Sequence, residues 1–299
     1  MKKLLKIIEK IKNFILYHKI IIGINYHRVG AQNKKNPFEQ LHTVSLNYFK
    51  IQIKLINFFF NIVSLKDIRE REIKCKINFF ITFDDVPNIS KTAFMWLKKE
   101  NIAFSICPNV SITENQYNFG DKIRYTINES EKIGAKKKIE SFLNEKEKKL
   151  LQLHGLRKFY KLYNVDQIGF KKRFNVFFSK ELNKNFSKYK DNQYLTWRDI
   201  EEISKYSEIV SHGFNHDNFF HLNYDDISHE LENSKNKFLE KVNINIKIFA
   251  LPFGEYNQDL GIIVNELAKK FEYKQVLWVG NQGVVYSGKQ KHKIQNLTR

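Results

Sequence analysis

Two adjacent aspartates, Asp84 and Asp85, end an apolar and aromatic run of strand length, residues 78–83 (NFFITF). Neighbouring carboxylates at the end of a buried strand repel each other unless a cation lies beside them. A bound metal is the simplest such cation, since it takes one carboxylate as a ligand and leaves the other free as a base. An Asp turn or a helix N-cap explains the same pattern without an ion. The aspartates alone therefore leave both interpretations open.

A pair of histidines, His212 and His216, follows a short predicted strand at residues 208–211. Their spacing puts both imidazoles on one side of a turn, where they can bind one ion, although a structural or solvated pair is equally compatible with it. Joined with the aspartates, they offer two neutral nitrogens and one carboxylate, with one Asp left over. This set suits a catalytic Zn²⁺ or another divalent transition metal, because three protein ligands leave a position for water.

The same ligand set is formally that of a two-His-one-carboxylate iron oxygenase. The spare carboxylate of Asp84 favours hydrolysis instead, because hydrolysis needs a base and oxygenase chemistry does not. A metal-dependent hydrolase is therefore the preferred interpretation of the four residues.

The elements that must position these groups alternate along the chain. Strands are predicted at residues 19–26, 78–83, 103–107, 208–211, 246–251 and 275–279, and helices at 45–60, 89–100, 197–205, 224–242 and 257–271. Such alternation predicts a parallel α/β architecture with function at the carboxyl ends of the strands. Residues 111–193 differ, being rich in Lys and Glu and helical in pattern, and are interpreted as a helical insertion without identifiable chemistry of its own.

Composition narrows the class of protein. The 299 residues are 42% hydrophobic and carry a formal charge of +19. Because the lysines are spread along the whole length rather than focused on one segment, no nucleic-acid partner is expected. Residues 1–18 place apolar side chains at helical spacing between Lys and Glu, which predicts an amphipathic helix able to contact an anionic membrane surface. With no clear signal peptide or transmembrane run, a cytoplasmic or membrane-peripheral location is expected.

Three ordered motifs resemble those of the polysaccharide deacetylases (NodB-homology proteins, carbohydrate esterase family 4): TFDD at residues 82–85, HGFNH at 212–216 and ALPFG at 250–254. The early YHRV at residues 26–29 is similar to the poly-N-acetylglucosamine deacetylase-like members, in which the order of the motifs is circularly permuted. The resemblance covers most of the chain and is weakest over residues 111–193.

The resemblance implies an α/β fold, a distorted (β/α)7-type barrel of about seven strands. It would occupy residues 19–299 behind the helix at 1–18, with the helical insertion at about 111–193. It also implies a metal-dependent hydrolase that removes acetyl groups, N-acetyl foremost, from a sugar or polysaccharide. An acetylated saccharide in surface-glycan biosynthesis or modification is the implied substrate.

The family's roles can be carried over residue by residue. The implied metal ligands are Asp85, His212 and His216, and the implied general base is Asp84. The backbone N–H of Phe253 would donate to the oxyanion. The family's late Leu-x-His motif is absent, so His27 becomes the candidate general acid, a role that a near-neutral pKa suits. Trp278 is a candidate for stacking on the sugar, although an aromatic residue on a strand is more often core.

Two positions depart from the family pattern. Val86 stands where a Gly commonly follows the two aspartates, and Ala250 stands where many members have an Arg that orients the base. These departures motivate an alternative function, a catalytically impaired carbohydrate-binding protein of the same fold.

Overall fold

A computed structural model of the protein describes residues 19–31, 43–70, 72, 77–133, 141–154, 167–189, 193–255, 257–278, 284–286 and 295–298. The predicted amphipathic helix at residues 1–18 lies outside the described residues and stays a prediction.

Strands of the described chain form a larger sheet, a smaller sheet and a two-stranded ladder. The strands are β1 (Lys19–Tyr26), β2 (Arg28–Val29), β3 (Thr43–Val44), β4 (Asn61–Ile62), β5 (Ile77–Asp84), β6 (Ser105–Cys107), β7 (Glu208–Ile209), β8 (Ile248–Ala250), β9 (Gln275–Trp278), β10 (Val284–Tyr286) and β11 (Gln295–Thr298). The larger sheet has the order β10-β1-β5-β6-β7, with β4 beside the start of β5, and the smaller has the order β11-β9-β8. Only β10 runs antiparallel to its neighbour in these ladders.

Helices connect the strands and cover the sheets. They are α1 (Leu46–Phe59), α2 (Leu65–Glu70), α3 (Lys91–Lys99), α4 (Val110–Asn115), α5 (Phe119–Ile133), α6 (Glu145–His154), α7 (Gln167–Glu181), α8 (Asn183–Phe186), α9 (Trp197–Ser204), α10 (Tyr224–Val242) and α11 (Gln258–Lys270). None of these described helices is both long and apolar enough to cross a bilayer.

Ser211 joins the two sheets edge to edge. Its N–H donates to the Ile248 carbonyl at 3.0 Å, and its carbonyl accepts from the Ala250 N–H at 2.8 Å. The strand order therefore continues from β7 into β8 and β9, and the two sheets curve into one distorted barrel. The predicted α/β fold with a distorted barrel and helical connections is confirmed.

The strand β5 lies at the centre of the larger sheet because its sequence is apolar on both faces. A strand with both faces buried reads as a continuous apolar run instead of an alternating one. Phe83 is fully buried and packs against the rings of Tyr26, Phe49 and Phe94, with centroids 4.8–5.8 Å apart. This packing fixes the strand end, and the two aspartates follow directly from it.

Helices of the segment 111–193 form a hydrophobic cluster of their own. It includes Tyr125, Phe170, Phe174 and Phe178 and is separate from the cluster that surrounds β5. The described parts of this segment are helical, as the sequence predicts.

The two faces of α1 allow a matched test of this packing. Phe49 is fully buried, whereas Phe58 on the same helix is 81% exposed. We expect Phe49→Ala to lower the free energy of unfolding by about 3–5 kcal/mol, because it removes a core ring and leaves a cavity. Phe58→Ala should change it by less than about 0.5 kcal/mol. Urea unfolding followed by circular dichroism measures both, and equal losses would contradict the assignment of the two faces.

Candidate metal centre and active site

Residues from distant parts of the chain meet at the carboxyl ends of the parallel strands. Asp84 is the last residue of β5, and His27 directly follows β1, which pairs with β5 in parallel register. His212 follows the Ser211 link, and Phe253 lies three residues beyond β8. The strand pattern predicts that functional residues lie at these carboxyl ends.

Asp85, His212 and His216 form a compact group. Each offers one ligand atom, and these three atoms lie within 4.8 Å of one another. The Nε2 atom of His216 is 3.1 Å from Asp85 Oδ1, and the Nε2 atom of His212 is 3.9 Å from the same oxygen. The structure therefore brings together the three residues that the sequence nominates as metal ligands.

The Oδ1 atom of Asp85 fits a cation better than it fits a hydrogen-bond donor. It is buried, and no donor among the described residues meets it with hydrogen-bond geometry. An unpaired buried carboxylate oxygen is costly. Burial alone would raise the pKa of Asp85, but the imidazoles of His216 and His212, with His27 nearby, outweigh burial and hold that pKa well below its ordinary value. The carboxylate is thus kept ionised at a point where two imidazole nitrogens converge, a donor set that suits a divalent metal.

Hydrogen bonds from outside this trio orient its members. The Nδ1 atom of His212 lies 2.8 Å from the carbonyl oxygen of Ala250. A carbonyl can only accept, so Nδ1 carries the proton and Nε2 presents its lone pair to the site, as is typical of metal-binding imidazoles. The Nδ2 group of Asn118 donates to Asp85 Oδ2 at 2.9 Å, which turns Oδ1 toward the histidines.

Asp84 is held from the neighbouring strand β1. The Nδ2 group of Asn25 donates to Asp84 Oδ2 at 2.9 Å, and the Thr82 hydroxyl donates to Asn25 Oδ1 at 3.1 Å. The bond from Thr82 fixes which way the Asn25 amide faces. Asn25 was not predicted from the sequence, where its only signal is its place in the strand that pairs with β5. An amide on β1 therefore holds the carboxylate in this chain, which has Ala250 where many polysaccharide deacetylases have an Arg.

The turns that present these side chains use left-handed backbone. Asp85, Val86, His216 and Phe253 have φ of 57°, 40°, 57° and 62°. A β-branched residue at positive φ is strained by roughly 1–3 kcal/mol and persists only where its surroundings hold it. Val86 is buried in the core, and its carbonyl accepts from the Leu195 N–H at 3.1 Å. The turn therefore closes with Val86 in the position where Gly is common.

His27 opens into the same small cavity as Asp85. Behind it lies a buried network in which Arg28 donates to the Tyr194 hydroxyl at 3.0 Å, and Tyr194 donates to Asp121. Burial, followed by the charge of Asp121, raises the pKa of Tyr194 well above 10, so this hydroxyl remains protonated. The cavity is lined by His27, Arg28, Asp85, Pro87, Asn118, Asp121, Arg124 and Tyr194. The structure thus places His27 beside the candidate metal ligands.

Phe253 and Trp278, the two aromatic residues among the predicted site residues, differ in their exposure. Phe253 is 40% exposed, and its ring centroid is 5.0 Å from that of His216. Trp278 is only 7% exposed and packs within the core cluster. Because so little of its ring reaches the surface, we do not place Trp278 against a sugar. Its position agrees with the alternative that an aromatic residue on a strand is core.

The segment 111–193 contributes to the site, which its sequence did not reveal. Asn118, just before α5, bonds to Asp85, as described above. On α7, the Lys171 ammonium lies 2.6 Å from Asp217 Oδ1 and 3.3 Å from the Asn215 carbonyl, within and beside the histidine turn. The segment therefore forms a wall that supports both a carboxylate and the turn between the imidazoles. Nothing in the residue types signals these contacts.

Glu230, on α10, organises the backbone between the two histidines. Its carboxyl accepts from Phe214 N–H at 2.8 Å, from Asn215 N–H at 3.0 Å and from the Asn215 side chain at 2.8 Å. Gly213 has φ of +85°, and a Cβ there would lie 2.8 Å from Glu230 Oε2. Burial, with the charge of Asp217 next, raises the pKa of Glu230 to about 7.

The raised pKa of Glu230 predicts a pH dependence of stability. The folded protein favours the protonated carboxyl, so its contribution is fully present below the unfolded pKa of 4.5 and is lost as the pH rises through about 7. In the presence of a chelator, we expect the free energy of unfolding of the wild type to fall by about 3 kcal/mol as the pH rises from 4.5 to about 7. The fall is measured relative to Glu230→Gln, which has no carboxyl at this position. Urea unfolding at a series of pH values measures this. The exposed Glu232 on the same helix gives the control Glu232→Gln, which should follow the wild type.

The model of the family described as polysaccharide deacetylase matches residues 172–276. That segment contains both candidate histidine ligands and Phe253, whereas Asp84 and Asp85 lie outside it. Comparison with curated proteins found no match.

Several solved structures are similar over nearly the whole chain. They include the Streptococcus pyogenes deacetylase PplD in complex with acetate, at 15% identity, 94% of this chain, 92% of that chain and a TM-score of 0.57. A de-N-acetylase from Aggregatibacter actinomycetemcomitans matches at 14% identity, 94% of each chain and a TM-score of 0.54. The BpsB deacetylase domain from Bordetella bronchiseptica matches at 12% identity, 95% of each chain and a TM-score of 0.53.

At these identities the structural likeness establishes the fold, and the matched segment supplies the link to the family. The resemblance to the polysaccharide deacetylase family is therefore confirmed, by the family segment at residues 172–276 and by the fold of the chain around it.

Proposed function

We propose that the protein is a metal-dependent hydrolase that removes acetyl groups, N-acetyl foremost, from a sugar or polysaccharide. The observation that carries this proposal is the convergence of Asp85, His212 and His216, with the carboxylate of Asp84 beside them. Two imidazoles and one carboxylate can hold a divalent ion and leave a position open, and a second carboxylate can then act as a base. The similarity to solved deacetylases supports the same conclusion.

Asp85, His212 and His216 would hold the ion, with Zn²⁺ or another divalent transition metal as the candidate. When bound, such an ion polarises the acetyl carbonyl and lowers the pKa of the attacking water. Asp84 would take the proton from that water as it attacks. The hydrogen bond from Asn25 keeps the Asp84 carboxylate fixed, 3.6 Å from His212 Nε2, which suits this role.

Two other groups of the chain would complete the reaction. Attack on the acetyl carbon creates an oxyanion, to which the backbone N–H of Phe253 would donate. The C–N bond then breaks, the acetyl group leaves as acetate, and the sugar amine needs a proton. His27 would supply that proton, since it lines the same cavity as Asp85 and no late histidine motif competes for the role.

The proposed substrate is an acetylated saccharide of surface-glycan biosynthesis or modification, and a cytoplasmic or membrane-peripheral location is proposed with it. Val86 and Ala250 motivate the alternative, a catalytically impaired carbohydrate-binding protein. Two observations favour the enzyme. Asn25 holds Asp84 without an Arg at position 250, and the Ala250 carbonyl itself orients His212.

Replacing the base separates catalysis from metal binding. We expect Asp84→Asn to lower acetate release from N-acetylated oligosaccharides by about 10²–10⁴-fold, because the attacking water loses its proton acceptor. Bound zinc, measured by atomic emission after dialysis, should stay near one ion per chain. His216→Ala should lose both the ion and the activity. Wild-type rates in Asp84→Asn would refute the assignment of the base, and glycan binding without acetate release by the wild type would favour the alternative function.

The role of His27 can be tested through the leaving group. His27→Asn should slow deacetylation of an N-acetylated sugar by about 10²-fold, because the departing amine no longer receives a proton. Hydrolysis of 4-nitrophenyl acetate should change little, since its leaving group needs no proton. Equal losses on both substrates would show that His27 acts in another step or only supports the fold.

A further inference from the structure

The outward face of α1 carries an unusual row of apolar side chains. Tyr48, Ile51, Leu55, Phe58 and Phe59 recur at helical spacing and are 55–81% exposed. The opposite face of the same helix, with Phe49 and Ile53, is fully buried in the core. Scattered exposed apolar residues are normal on a protein surface, but a contiguous row of this kind marks a surface that contacts something else.

Aromatic residues extend this row at the end of the helix. The rings of Phe58 and Phe59 have centroids 4.9 Å apart, and that of Phe60 lies 5.2 Å from that of Phe79. Phe60 is itself 41% exposed. These rings pack mainly on one another at the surface, so the helix ends in an exposed aromatic cluster. We call this cluster and the row on α1 the α1 surface.

The charges beside the row indicate what kind of partner fits it. The sequence of α1, LNYFKIQIKLINFF, contains Lys50 and Lys54 and no acidic residue. The whole chain carries a formal charge of +19. A helix with Phe, Leu and Ile on one face, flanked by Lys, has the composition that binds the interface of an anionic membrane. A second copy of the chain is a poorer partner, because two strongly cationic molecules repel each other.

We propose that the α1 surface docks the protein reversibly on an anionic lipid surface. The apolar row would enter the boundary between headgroups and acyl chains, while Lys50 and Lys54 contact lipid phosphates. The cap of α1 at Ser45 follows β3, which pairs with the strand after His27, and its other end precedes β4, which pairs with the start of β5. The helix therefore runs from the carboxyl ends of the strands, where the candidate site lies, to their amino ends. Docking along the length of the helix leaves the site uncovered beside the membrane.

The test is co-sedimentation of the full chain with vesicles, either of phosphatidylcholine alone or of phosphatidylcholine with phosphatidylglycerol. We expect binding to the anionic vesicles and little to the neutral ones. Phe58→Ser combined with Phe59→Ser should weaken binding about tenfold or more, because two rings no longer enter the interface. Lys50→Gln combined with Lys54→Gln should weaken it by a similar factor and reduce its dependence on salt.

A matched control uses an exposed apolar residue on another helix. Ile262 on α11 is 58% exposed, and Ile262→Ser should bind vesicles like the wild type. Urea midpoints close to that of the wild type confirm that the variants are folded. The proposal is overturned if the wild type ignores anionic vesicles, or if the Phe58/Phe59 variant binds as well as the wild type. It is also overturned if light scattering shows that the wild type self-associates and that the Phe58/Phe59 variant does not. A second copy would then be the partner.

Discussion

Repulsion between two adjacent carboxylates is the constraint around which the site is arranged. Successive side chains of a strand point to opposite sides, and the left-handed backbone at Asp85 turns the chain sharply just after Asp84. The two carboxylates consequently meet different partners. Asp84 receives an amide from β1, whereas Asp85 receives Asn118 on one oxygen and faces two imidazoles with the other. The hydrogen bond from Asn25 holds the Asp84 carboxylate, whereas the imidazoles keep the pKa of Asp85 low. This separation suits one carboxylate to act as a base and the other as a ligand.

Much of the framework was predictable because its signals are local. The apolar run before Asp84 could only be a buried strand, and the helix predicted at 224–242 has those bounds in the structure. The capping box in which Thr196 and Asp199 exchange hydrogen bonds begins α9 at the predicted residue. The three candidate ligands could also be nominated, because their residue types and their places after strands are both visible in the sequence, and the structure brings them together. Local pattern and chemistry agree at these positions, so the inference needed no tertiary information.

Residues that support the site were not predictable, for a physical reason. Asn25, Asn118, Lys171 and Glu230 act through hydrogen bonds to groups in other parts of the chain. Asn and Lys are common on any surface, and only tertiary contact distinguishes these copies from the others. Glu230 lies on the buried face of α10 with Ile227 and Leu231, where the sequence shows an inward position but not the backbone groups that its carboxyl meets. The outward row on α1 escaped prediction for a different reason. Its apolar spacing is visible in the sequence, but such spacing suggests a buried face and not an exposed one.

The tether between His212 and the Ala250 carbonyl has a consequence for the order in which the chain is made. The candidate ligands arise from positions 85, 212 and 216, and the group that sets the His212 tautomer belongs to β8. During synthesis from the N-terminus, the ribosome must therefore release β8 before the imidazole can be locked. Until then, two aspartates are exposed at the end of an unfinished sheet. A nascent chain that stalls within the helical segment would carry the carboxylates without the imidazoles, and would present only one of the three candidate ligands.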